Sequence, residues 1–136
     1  METGYIKFSD VETDKPIIEV KIVDGTVWMT VNEIADLFGV YTPTVNKYLK
    51  AIFKDNLVRE NEVTKEYRYS CLEYGECIRI YYNLDIIVCL SFKIQTVFTK
   101  IFREWIFRSL YKSTQSYNNL ISCESIIKEY SSLNLN

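Results

Sequence analysis

The sequence predicts an α+β domain: an N-terminal β-hairpin, a helix-turn-helix, a second β-hairpin and a helical C-terminal half. Three observations predict it. Apolar and polar residues alternate around an Asp24-Gly25 pair, which is a hairpin signal. Between Val31 and Lys50, two runs of helical spacing are interrupted once, at Gly39. From Ile94 to Leu110 the apolar residues hold helical spacing for about four turns.

Met1 to Lys15 is polar and is expected to be loose. The domain proper is therefore placed at residues 16–112, with a polar tail over 113–136. Ile17 to Val23 reads as a strand with Ile18, Val20 and Ile22 on one face. Thr26 to Met29 is its expected partner, across a type I′ turn whose two central residues need positive φ. Thr30 with Glu33 forms a capping box, and Val31, Ile34, Ala35 and Phe38 then share a helical face. Gly39 ends that helix in the left-handed conformation. Thr42 is the expected N-cap of the next helix and Pro43 its first residue; Val45, Tyr48, Leu49, Ile52 and Phe53 recur at helical spacing.

Glu62 to Tyr69 and Cys77 to Tyr82 are rich in β-formers, so a hairpin is expected to turn around Glu73 to Glu76. Asn83 should cap a short helix from Leu84 to Phe92, with Asp85 in its first turn. A long amphipathic helix follows from Lys93 to Lys112, its apolar stripe read as core. A weak helix is expected over Ile121–Tyr130.

The chain has 136 residues, 48% of them apolar and 15% aromatic, enough to bury a core. Its net charge of −2 is unevenly spread. Lys47, Lys50, Lys54 and Arg59 oppose only Asp55 in one segment. Lys93, Lys100, Arg103, Arg108 and Lys112 oppose only Glu104 in another. Two basic segments on an acidic remainder can build one basic face; the alternative is two solvated helix faces. Histidine is absent, and none of the four cysteines forms a C-x-x-C pair, so no metal site is expected. Free, mostly buried thiols in a reducing cytoplasm account for them. The apolar run from Ile86 to Phe92 is too short to cross a bilayer, and no membrane partner is expected.

Val31 to Lys50 carries the function. In a helix-turn-helix the second helix presents its N-terminal half to the major groove. With Val45, Tyr48, Leu49 and Ile52 inward, the outward face holds Thr42, Asn46, Lys47, Lys50 and Lys54, with Tyr41 and Thr44 at its leading edge. Asn suits adenine, Thr and Tyr suit phosphate or a thymine methyl, and Lys suits guanine or phosphate. Tyr41, Thr42, Thr44 and Asn46 are the expected base readers; Lys47, Lys50 and Lys54 read bases or hold phosphates, and Lys100 and Arg103 add phosphate contacts. Trp28, Ile34, Ala35, Phe38, Val45, Tyr48 and Trp105 are structural. The alternative is a plain helical hairpin with a solvated lysine face. An enzyme is not expected: there is no histidine, no phosphate-cradling Gly-rich loop and no nucleophile elbow. No catalytic residue, cofactor or small-molecule substrate is assigned. Glu73 and Glu76 suit phosphates poorly, so the second hairpin is expected to brace the core or meet a partner.

Ile17 to Val31 (IIEVKIVDGTVWMTV), Glu33 to Phe38 (EIADLF), Thr44 to Phe53 (TVNKYLKAIF) and Tyr81 to Ile87 (YYNLDII) resemble the RhuM family. Phe102-Arg103 with Trp105 and Leu110 is similar to that family's F-R-x-W-x₄-L segment. The resemblance implies a bacterial, cytoplasmic, virulence- or prophage-associated DNA-binding protein. One departure stands out: where the family has a basic K-S-K-R-G loop, this chain has Gln95-Thr96-Val97-Phe98-Thr99, and continuous helix is expected there. Members are often longer, so the chain is expected to be a shortened relative or an N-terminal domain. The expected function is sequence-specific binding of double-stranded DNA, as a homodimer that regulates phage or mobile-element genes. The rival is a protein-interaction or oligomerisation module on the same fold.

Overall fold

The computed structural model describes residues 2–116. Among them the fold is α+β, with two antiparallel hairpins and five helices, and helices fill the C-terminal half. The weak helix expected over Ile121–Tyr130, and Cys123, lie outside the described residues. The chain divides into two compact units between Arg103 and Glu104.

The first unit opens with a strand where a loose segment was expected. β1 (Tyr5–Ser9) pairs antiparallel with β2 (Ile17–Lys21), in a register that sets Ile6 opposite Val20 and Phe8 opposite Ile18. Ile6 is buried, and the Phe8 ring lies 5.8 Å from that of Phe98. Burial of these two side chains orders a stretch whose composition looked polar. The partner expected for β2 was Thr26–Met29, and this is corrected. Asp24 and Gly25 do adopt the expected turn, both with positive φ (52° and 82°), and Val23 and Thr26 exchange two backbone hydrogen bonds across it. The ladder stops there. Trp28 N–H donates instead to Thr3, and Met29 forms a bridge with Tyr82.

α1 (Val31–Phe38) starts at the expected capping box: Thr30 Oγ1 accepts from Glu33 N–H at 3.2 Å, and Glu33 Oε1 accepts from Thr30 N–H at 3.1 Å. α2 (Thr42–Lys54) packs against α1, with Val45, Leu49 and Ile52 buried. α3 (Glu60–Val63) is a single turn that takes residues expected to begin a strand. The second hairpin is β3 (Thr64–Cys71) with β4 (Gly75–Tyr82), and its turn is Leu72–Tyr74. The tip expected at Glu73–Glu76 is thereby shifted, and Glu76 stands in β4 opposite Ser70. α4 (Leu84–Lys93) starts at Asn83, whose Oδ1 accepts from Ile86 N–H at 3.4 Å.

Continuous helix was expected through Gln95–Thr99, and the structure contradicts it. The chain leaves α4 with an extended Ile94 and restarts as α5 (Val97–Ser116). Thr96 and Thr99 cause the break. Thr96 Oγ1 accepts from Thr99 N–H at 3.2 Å, and Thr99 Oγ1 accepts from Thr96 N–H at 2.9 Å. This is a capping box with Thr in the place of Glu, and it offers the backbone a helix start instead of a helix middle.

The core of the first unit is built from α1, α2, α4 and the start of α5: Ile34, Phe38, Ile52, Ile86, Leu90 and Phe102 are all fully buried. Phe38 and Phe102 meet edge to face, centroids 5.7 Å apart. The described part of the second unit continues α5, with Trp105, Ile106 and Phe107 half-buried and Leu110 and Tyr111 exposed. None of the described helices is long and apolar enough to cross a membrane.

Candidate nucleic-acid interface

The geometry of the candidate site begins at Gly39. Its φ of 68° and ψ of 37° are left-handed, which L side chains adopt only with strain. A Cβ there would also lie 2.9 Å from the Phe98 ring. Both facts select glycine. The turn is further fixed by Thr96 Oγ1, which donates to the Phe38 carbonyl at 2.9 Å. The start of α5 therefore holds the end of α1, and so sets where α2 begins.

α2 begins one residue earlier than expected. Tyr41, not Thr42, is the N-cap; it is extended at φ −84° and ψ 153°, and no side chain caps the first turn. Thr42 and Pro43 are instead the first two helical residues. Proline costs nothing there because its missing N–H would have no intrahelical partner.

The two faces of α2 are chemically distinct. Val45, Leu49 and Ile52 are buried, and Phe53 stacks with Tyr82 at 6.5 Å. Tyr48, expected to be buried, is half-exposed, and the Lys47 ammonium lies 5.5 Å from its ring centroid. Asn46, Lys47, Lys50 and Lys54 are exposed, as is Tyr41 at 85%; Thr42 and Thr44 are half-buried beside them. The structure thus places Tyr41 at the N-cap and the other six expected contact residues along α2, with Asn46 and the lysines on its exposed side. Among the described residues, none of the three lysines is in an ion pair. The ion pairs lie elsewhere: Arg59 with Glu62, and Arg68 with Glu66 and Glu76.

Lys100 and Arg103 part company. Lys100 is exposed in the first turn of α5. Arg103 is turned inward, a correction to its expected role at phosphates. Its guanidinium donates to the carbonyls of Ser91 and Ile94 and to Gln95 Oε1. A cation at the C-terminus of α4 satisfies open carbonyls and opposes the helix dipole. Sequence reading missed this role, because the break that exposes those carbonyls was itself missed.

A shallow cleft beside α1 is lined by Gly4, Tyr5, Ile6, Met29, Glu33, Asp36 and Leu37. Its Glu33 carboxylate is committed to the N-cap of α1. Cys71, Cys77 and Cys89 are free and half-buried, somewhat more open than expected. Compared with protein-family models, with curated proteins and with solved structures, the chain matches none.

Proposed function

We infer that the protein binds double-stranded DNA through the outward face of α2. The observation that carries this reading is a cationic helix surface whose lysines form no ion pair among the described residues, on a helix whose opposite face is locked into the core. Lys47, Lys50 and Lys54 spread along that surface with Asn46 between Tyr41 and the lysines. Lysines give affinity through phosphates, whereas the amide of Asn46 offers the donor and acceptor that adenine requires. α2 is held at its start by Gly39, Thr96 and Phe98 and along its length by the core. A recognition helix needs such rigidity, since base contacts demand a fixed register. Lys100 adds an exposed cation in the first turn of α5.

The stretches similar to RhuM proteins support the same reading, and with it a bacterial, cytoplasmic protein that acts without catalysis on phage or mobile-element genes. A homodimer reading paired half-sites fits the modest surface that a single α2 presents. The exposed apolar side chains of the β3–β4 arm, Leu72, Tyr74 and Ile78, favour protein interaction as a second activity of the same fold.

The test is selection from a pool of random DNA duplexes. A recurring motif should be enriched, and Asn46→Ala should relax preference at one position by about 1–3 kcal/mol. Recovery of unenriched sequence at every round contradicts sequence-specific binding.

A further inference from the structure

The turn of the β3–β4 arm carries two thiols that the DNA reading leaves unused. Side chains alternate along a ribbon, so the pairing register decides which ones share a face. Tyr69 pairs with Cys77 and Cys71 with Gly75. Cys71, Tyr69 and Tyr67 of β3 therefore share one face with Cys77 and Arg79 of β4. On that face the ribbon twist closes one diagonal. Arg79, two residues beyond the partner of Tyr69, sits 4.9 Å from the Tyr69 ring. Cys71 and Cys77 hold the equivalent diagonal one step nearer the tip.

The two sulfurs differ in surroundings. The Cys71 sulfur accepts from the backbone N–H groups of Glu73 and Tyr74 in the turn, and these, ahead of Cys77, hold its thiol below the ordinary cysteine value. The Cys77 thiol points to the Gly75 carbonyl at 3.9 Å. Cys89 on α4 is the contrast: burial pushes its thiol up.

We propose that Cys71 and Cys77 form a peroxide-reactive pair that closes into a disulfide across the tip of the β3–β4 arm, with Cys71 as the attacking thiolate and Cys77 as the resolving thiol. Cys71 attacks one oxygen of hydrogen peroxide. An S–O bond forms and the O–O bond breaks. The peroxide is reduced by two electrons, and its second oxygen leaves as water with the proton that Cys71 gave up. The Cys77 thiolate then attacks the Cys71 sulfenic sulfur. The S–S bond forms, the S–O bond breaks, and hydroxide leaves as a second water with the Cys77 proton. Two thiols and one hydrogen peroxide give one disulfide and two waters. An untwisted diagonal separates Cα atoms by about 7–8 Å, somewhat beyond the range a disulfide takes. Twist shortens this diagonal, and closure draws the three-residue turn Leu72–Tyr74 tighter.

The test treats the full chain with hydrogen peroxide and maps the products by mass spectrometry. An intramolecular Cys71–Cys77 disulfide is expected, reversed by dithiothreitol, while Cys89 stays reduced. In Cys77→Ser, a dimedone adduct is expected at Cys71; in Cys71→Ser, no adduct is expected at Cys77. Cys71 should react about tenfold faster than Cys89. A disulfide through Cys89 or Cys123, a disulfide between two chains, a dimedone adduct at Cys77 in Cys71→Ser, or thiols no more reactive than free cysteine overturns the pair.

Discussion

Gly39 is where the whole site can be broken with one methyl group. The left-handed backbone at φ 68° costs any L side chain, and the Phe98 ring leaves a Cβ no room. Gly39→Ala should therefore destabilise the fold by about 1–3 kcal/mol, read as a lower urea midpoint. An unchanged midpoint would mean that Phe98 and the turn relax without cost. At this scale the sequence was informative wherever a residue acts on its near neighbours. Gly39, the Thr30–Glu33 capping box, the Asp24-Gly25 turn and Asn83 each declare themselves within four positions. Arg103 did not. Its charge promised a phosphate, but its partners Ser91 and Ile94 are defined only by where α4 stops. Tyr48 likewise kept helical spacing with the core yet remained half-exposed, with the Lys47 ammonium near its ring.

Helices and strands show the same division between near and distant causes. α1, α2 and α4 lie where periodicity put them, since an amphipathic stripe and a cap fix a helix locally. β1 was invisible for the opposite reason. Tyr5-Ile6-Lys7-Phe8 alternates, but the stretch acquires a partner only through a polar connection and a cover only through Phe98. The break before α5 was written in the sequence as Thr96-x-x-Thr99, and the apolar period running through it concealed the signal. Its weight can be measured. Thr96→Ala removes the cap on Thr99 N–H and the bond to the Phe38 carbonyl, and should lower stability by about 1–2 kcal/mol. Arg103→Ala should also destabilise, because the carbonyls of Ser91 and Ile94 lose their donor, yet it should leave the salt dependence of DNA binding unchanged. A flatter salt dependence in Arg103→Ala would return that residue to the phosphate-contacting set.

Across the molecule, the net charge of −2 is overruled by its distribution. Glu33 and Asp36 sit on α1, Glu60 and Glu62 on α3, and Glu66 and Glu76 on the β3–β4 ribbon, where Arg68 pairs with both. Among the described residues, the lysines of α2 stand without such partners. Rigidity and charge meet on that helix: its inner face is core, its start is clamped by Gly39, Thr96 and Phe98, and its outer face presents Asn46 and the lysines. The fold class was legible because hairpins and helices follow from alternation and period. The candidate surface was legible because burying Val45, Leu49 and Ile52 leaves the other side of a helix no choice but solvent. What surrounds that surface depends on packing between distant segments, and sequence reading reached it only in part.

The most direct measurement is the affinity for duplex DNA titrated against salt, for the natural chain and for Lys47→Ala with Lys50→Ala. Binding through α2 predicts that log K falls linearly with log salt, and that the double substitution shallows the slope by about 0.9 for each phosphate contact removed. An identical slope in both proteins, or no duplex binding at low salt, would contradict it.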